Sequence, residues 1–147
     1  MAAETIIYYG EGRRDFLTRL FEKGIFGLSQ SISNKDQAFF IASWGIVDPK
    51  DYKKRDNSGW IRSDYIKFAE EKALMSTPLL ASALNDEEVG EYAEYGIYKT
   101  HFEKCIEKGF QVIEEKVEDA HWDNNLLERR VLSDLDLLYT KYIENNI

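Results

Sequence analysis

Two pairs of residues in this chain have types and spacings that chemistry could use. His101 and Cys105 lie four apart in a helical pattern, so both fall on one face, a spacing that can ligate a metal. Glu118 and His121 form a Glu-x-x-His unit, which di-iron bundles take from two helices together with two further carboxylates. Neither pair completes a site. Tyr98, not a glutamate, stands three residues before His101, and the two histidines are 20 positions apart, ~30 Å along a straight helix. Cys105 is the single cysteine, which excludes an internal disulfide and a cysteine-built zinc cage. There is no G-x-S-x-G elbow, P-loop or G-x-G-x-x-G phosphate cradle. Acidic residues such as Glu87, Glu88, Glu91 and Glu94 read as a solvated helix face rather than a carboxylate pair. The expectation is no catalytic residue, no metal and no cofactor.

The most distinctive polar feature is the connector "DPKDYKKRDNSGWIRSDYIKF", residues 48–68. Lys50, Lys53, Lys54 and Arg55 fall within six positions, followed by Trp60 and Arg62, a composition that suits phosphate contacts with base stacking. Asp48, Asp51, Asp56 and Asp64 interrupt it, leaving residues 48–64 at net +1. Such self-neutralisation favours contact with protein over contact with nucleic acid. Trp60 is expected to fold into the core at the end of the connector, with Arg62 pairing an acid on a helix face. Lys50, Lys53, Lys54, Arg55, Trp60 and Arg62 are therefore the candidate contact residues.

Helices must position them. Residues 4–9, "ETIIYY", suit a short strand or an extended arm within 1–12, broken by Gly10 and Gly12. Phe16, Leu17, Leu20 and Phe21 form one apolar helical face that Gly24 and Gly27 end. Ser33 with Asp36 signals a helix start. The apolar run Phe39, Phe40, Ile41, Ala42, Trp44, Ile46 and Val47 predicts the central, most buried helix, stopped at Asp48-Pro49. Ser63 or Asp64 can cap a helix with Tyr65, Ile66, Phe68 and Ala69 facing inward, and Pro78 suits the first turn of another short one. Asn85 and Glu88 form a capping-box-like start to a pattern reaching Ala120, with a break near Gly96. Its stripe of Phe102, Ile106, Gly109, Ile113, Val117 and Ala120 places a glycine where a neighbouring helix approaches closely. After "HWDNN" the last helix carries Leu127, Val131, Leu135, Leu138 and Tyr142 as a stripe of the same core-facing type. The fold class expected is all-α, a single compact multi-helix domain over residues 1–147.

Charge divides the chain unevenly: residues 1–67 are net +2 and residues 68–147 net −10, within a total of −8. That asymmetry suits oriented docking on a charged partner. No run approaches the ~18–20 apolar residues of a membrane span, and the start lacks the basic region of a secretory signal. No membrane association and a cytoplasmic setting are expected. An apolar stripe long enough for packing between subunits also leaves homodimerisation open.

The order of these elements resembles the Dnd-associated small proteins, encoded beside DNA phosphorothioation systems in prokaryotes. The similarity lies in "FLTRLFEKGIFGLSQSISNKDQAFFIASWGIV", in the connector ending at Ile61-Arg62, and in "HFEKCIEKGFQVIEEKV", together most of residues 16–118. The chain departs from that family in its connector, where "DYKKRDNSG" replaces a proline-rich segment, and in the residues ahead of Gly109. The resemblance implies a setting in DNA modification and phage defence, and it carries over no catalytic residue. The function expected is a non-enzymatic accessory protein that binds a protein partner. The alternatives are nucleic-acid binding through residues 50–62 and mimicry of DNA by the acidic half.

Overall fold

The computed structural model describes residues 6–9, 12–46, 58–62, 66 and 69–146. These form a mostly helical protein with a two-stranded antiparallel ribbon, β1 (Ile6–Tyr9) against β2 (Ser58–Arg62). The helices are α1 (Arg13–Glu22), α2 (Asn34–Ser43), α3 (Ala69–Ala81), α4 (Asp86–Tyr92), α5 (Tyr95–Asp119) and α6 (Asn124–Asn146), with a 3-10 turn at Ile25–Gly27. The strand expected at the start is present. Its partner, β2, occupies the end of the connector, where the sequence showed only a resumption of apolar residues.

Local chemistry sets most helix ends. Ser33 Oγ accepts from the Asp36 backbone at 3.2 Å to begin α2, and Asn85 Oδ1 accepts from Glu88 at 2.9 Å to begin α4. Glu88 reaches back to the Leu84 N–H at 2.7 Å, so the box closes one residue before the cap. Gly24, at φ 62°, turns the chain out of α1 through the left-handed region open to glycine. The break before Gly96 falls at Ala93 and Glu94, dividing α4 from α5.

The central helix is α5 rather than α2. Twelve of the 25 residues of α5 are buried, against four of the ten in α2, and α2, α3, α4, β1 and α6 all pack on it. In α2 the helix ends at Trp44, Phe39 and Phe40 are half-buried, and Ile46 is exposed beyond it; Val47 lies outside the described residues. The stripe from Phe102 to Ala120 is buried throughout. Its glycine does what its position implied: a Cβ on Gly109 would overlap the backbone carbonyl of Ile41, and one on Gly45 would overlap the backbone of Cys105 and Gly109. The α2 and α5 backbones therefore meet with no side chain between them.

Two further expectations are corrected. Pro78 lies inside α3, not at the start of a helix. Met75 and Leu79, buried on either side of it, hold the helix through, and the carbonyl that loses its partner belongs to the exposed Leu74. The start expected at Ser63 or Asp64, with Tyr65 and Phe68, lies outside the described residues. Ile66 is buried but not helical, and Ala69 opens α3 as an exposed residue.

Tyr98 on α5 is buried and meets Tyr95 edge-on at 5.3 Å. Burial, with a smaller contribution from Tyr95, raises its pKa above the ordinary tyrosine value. A phenol harder to ionise when folded leaves stability intact below pH ~10 and removes it as pH rises through the folded pKa. Tyr98→Phe is accordingly expected to lose less stability than the wild type between pH 8 and pH ~10.5 in urea titrations, with equal slopes at pH 8.

Candidate functional site

Of the candidate contact residues, Trp60 is the one whose side chain is described, and it lines a groove. Lys50, Lys53, Lys54 and Arg55 lie outside the described residues, and of Arg62 only the backbone is described, opposite Ile6 in the ribbon. Trp60 is the anchor expected of it: half-buried, with its ring 5.7 Å from Phe110 and tilted by 35°. It packs against the core from β2 while still lining an open groove of about 240 Å³.

Polar side chains from three segments stand over that aromatic floor. Arg14 and Thr18 come from α1, Gln30 from the turn ahead of Ser33, and Asn34 and Gln37 from the first turn of α2. Thr18 donates to the Arg14 carbonyl at 3.1 Å, and Gln37 donates its amide to the Ile32 carbonyl at 2.8 Å, which orients the buried Gln37 side chain. Gln30, Asn34 and Gln37 supply amides, each both donor and acceptor, and Arg14 supplies an exposed cation. Neither the lone turn residue Gln30 nor the polar positions of α2 carried a sequence signal. Amides at a helix start read as ordinary capping chemistry.

A second polar arrangement lies inside the protein. Lys99 and Glu103 pair at 3.3 Å on α5, both buried. One turn further on, Glu107 Oε1 accepts from Arg13 at 2.9 Å, and Arg13 also reaches Glu114 at 2.8 Å. Burial works against the Arg13 charge, but the hydrogen bonds and charges of Glu107 and then Glu114 outweigh it, so its pKa is raised above the ordinary value. The guanidinium also stands 5.3 Å from the Phe110 ring centre. Lys99, Glu103 and Glu107, at spacings of four, carry no sequence sign of burial. The signal that could have found them is the apolar run of β1, which needs a surface to cover and packs on α5.

The two pairs with chemical spacing have different fates. His101 Nδ1 and Cys105 Sγ are 3.7 Å apart and buried, but they line separate hollows. Cys105 borders an apolar cleft of about 280 Å³ between α2 and α3, whereas His101 borders one beside Tyr92 and Lys104. Glu118 and His121 stand where α5 ends: the His121 backbone donates to the Glu118 carbonyl at 3.0 Å, and His121 and Trp122 turn left-handed at φ 53° and 59°. The Glu118 carboxylate accepts from the Trp122 indole at 3.3 Å. Among the described residues no three metal-ligating side chains come together. Nor is any described helix long and apolar enough to cross a membrane.

No family model, curated protein or solved structure matches this chain.

Proposed function

We propose that this chain is a non-enzymatic accessory protein that binds a protein partner, and that the groove floored by Trp60 receives an extended segment of that partner. The observation that carries this reading is the groove's mixed lining, in which three amides, Thr18 and Arg14 stand beside Leu17, Phe21 and Trp60. An extended peptide presents alternating backbone donors and acceptors, which side-chain amides can match, while its apolar side chains need a floor. The volume, about 240 Å³, falls below the ~300–1,000 Å³ of ordinary cofactor and ligand sites and suits one or two docked side chains. Arg14, the cation that lines the groove, favours an acidic segment. The resemblance to Dnd-associated proteins supports a partner drawn from a prokaryotic DNA-modification or phage-defence system.

Affinity capture from the native host, quantified for wild type and for Arg14→Glu, tests this. Arg14 is exposed, so its reversal should leave the fold intact while reducing recovery of a stoichiometric partner ~10-fold. If low-salt capture recovers no stoichiometric protein with the wild type, the reading is wrong. A shift with DNA at ~50 mM salt that Arg14→Glu removes would transfer the groove to nucleic acid.

A further inference from the structure

The last apolar stripe was expected to face the core, and past Val131 it does not. Every residue from 132 to 142 is exposed. Leu132, Leu135, Leu137, Leu138, Tyr139 and Tyr142 each keep between 55% and 66% of their surface open. The root of α6 is firmly seated, by contrast. Leu127 is buried, Asn124 Oδ1 accepts from the Phe26 backbone at 2.8 Å, and Lys116 meets Asp134 at 3.6 Å. Residues 135–146 thus form an unsupported helix of a length that is marginal alone in water, where isolated helices need roughly 12–15 residues or more. Contiguous apolar surface of this extent marks an interaction site.

We propose that α6 is a dimerisation arm, pairing antiparallel with α6 of a second copy over residues 131–142. The stripe is self-complementary in that sense. Val131, Leu135, Leu138 and Tyr142 recur at spacings of four, three and four, the seam of a two-helix pair. Leu132 and Tyr139 extend the seam on one side, while Asp134 and Lys141 border it on the other. In an antiparallel pair the residues just ahead of the first seam position face their own kind across the axis. Asp134 of each copy then lies opposite Lys141 of the other, giving two identical ion pairs. In a parallel pair Asp134 would face Tyr139 and Lys141 would face Asn146, leaving both charges unmatched. Antiparallel pairing also puts the two helical bodies at opposite ends of the arm, so they do not crowd each other. Covering Leu132, Leu135, Leu138, Tyr139 and Tyr142 in each of two copies removes on the order of 1,000 Å² from water, about the area a specific interface must clear. No residue of the arm lines the Trp60 groove, so this interface stands apart from the proposed docking site.

Sedimentation of the full chain over ~1–100 μM is expected to give a dimer of the 17.2 kDa protomer. A wild type still monomeric at ~100 μM overturns the proposal. Lys141→Asp, which sets like charges against one another across the pair, should weaken dimerisation by ~10-fold, and Asp134→Lys, which also meets Lys116 of its own protomer, should weaken it at least as much. The double exchange Asp134→Lys/Lys141→Asp should return it to within ~3-fold of wild type. Without that restoration the antiparallel pairing is wrong. Leu135→Lys serves as an independent check, because the residue is exposed and its replacement leaves the protomer's packing untouched. It should keep the helical circular dichroism of the body and lose the dimer; a persisting dimer would place the interface elsewhere.

Discussion

Gly109→Ala is expected to destabilise the protein by about 3 kcal/mol, lowering Tm by roughly 10 °C. Helix propensity alone would give the opposite sign, since alanine gains ~1 kcal/mol over glycine in a helix interior. Steric overlap wins because the obstruction is backbone. The added methyl meets the Ile41 carbonyl, which no rotamer change can move, so α2 and α5 must separate. Separation also opens the reciprocal contact of Gly45 with Cys105 and Gly109 and loosens the flanking pair Phe39 and Phe102, whose rings lie 5.2 Å apart. Gly90→Ala is the control. It lies in the exposed helix α4 with nothing within 4 Å of an added Cβ, so there propensity operates unopposed. Thermal melts of the two variants should move in opposite directions. Equal shifts of the same sign would mean that the α2–α5 joint has slack.

Arg13→Ala is the second large expectation, a loss of about 3–5 kcal/mol in urea unfolding, the range for breaking a buried pair. Its source is Glu107, whose side chain is only 3% exposed and whose second oxygen has no hydrogen-bond partner among the described residues. Removing the guanidinium leaves a buried carboxylate with neither countercharge nor donor. The Glu114 contact adds little, because that carboxylate is half-exposed and surface pairs contribute ~0.2–1 kcal/mol. Replacing both partners, as Arg13→Met with Glu107→Leu, should recover most of the loss, since apolar groups of similar volume need no pairing. A double variant as unstable as Arg13→Ala would assign the effect to lost packing on Phe110 instead.

These expectations rest on features that differ in how openly the sequence displays them. The caps at Ser33 and Asn85, the turn at Gly24 and the meaning of Gly109 were legible because each is decided within a few residues or by a stripe on one helix. The ribbon was half legible. Ile6–Tyr9 has the apolar character of a strand, but Ser58–Arg62 becomes one only through pairing with residues some fifty positions upstream. Pro78 misled because tertiary packing of Met75 and Leu79 overrode a local rule. The buried ladder of Lys99, Glu103 and Glu107 was hidden by its charge, and the stripe of α6 was misread for the converse reason. Periodicity states that a face is apolar, but not which surface covers it. The candidate site was legible at Trp60 and illegible around it, since Arg14, Gln30, Asn34 and Gln37 are polar residues whose convergence depends on how α1 meets α2.

The pairings that seat the helices also bear on how fast the chain can reach this state. Arg13 meets Glu107 and Glu114 across 94 and 101 residues of chain, and Phe26 meets Asn124 across 98. Individual helices form on a timescale of ~1 μs, but docking them here requires closing loops that take in most of the molecule. Such a protein has the helix content of a fast-folding bundle but also contacts of long sequence separation, which slow folding. Stopped-flow refolding should therefore show far-ultraviolet helical signal accumulating before Trp60 and Trp122 acquire their final fluorescence. Docking of β2 on α5 would set the pace, because it brings Trp60 onto Phe110 across 50 residues of chain.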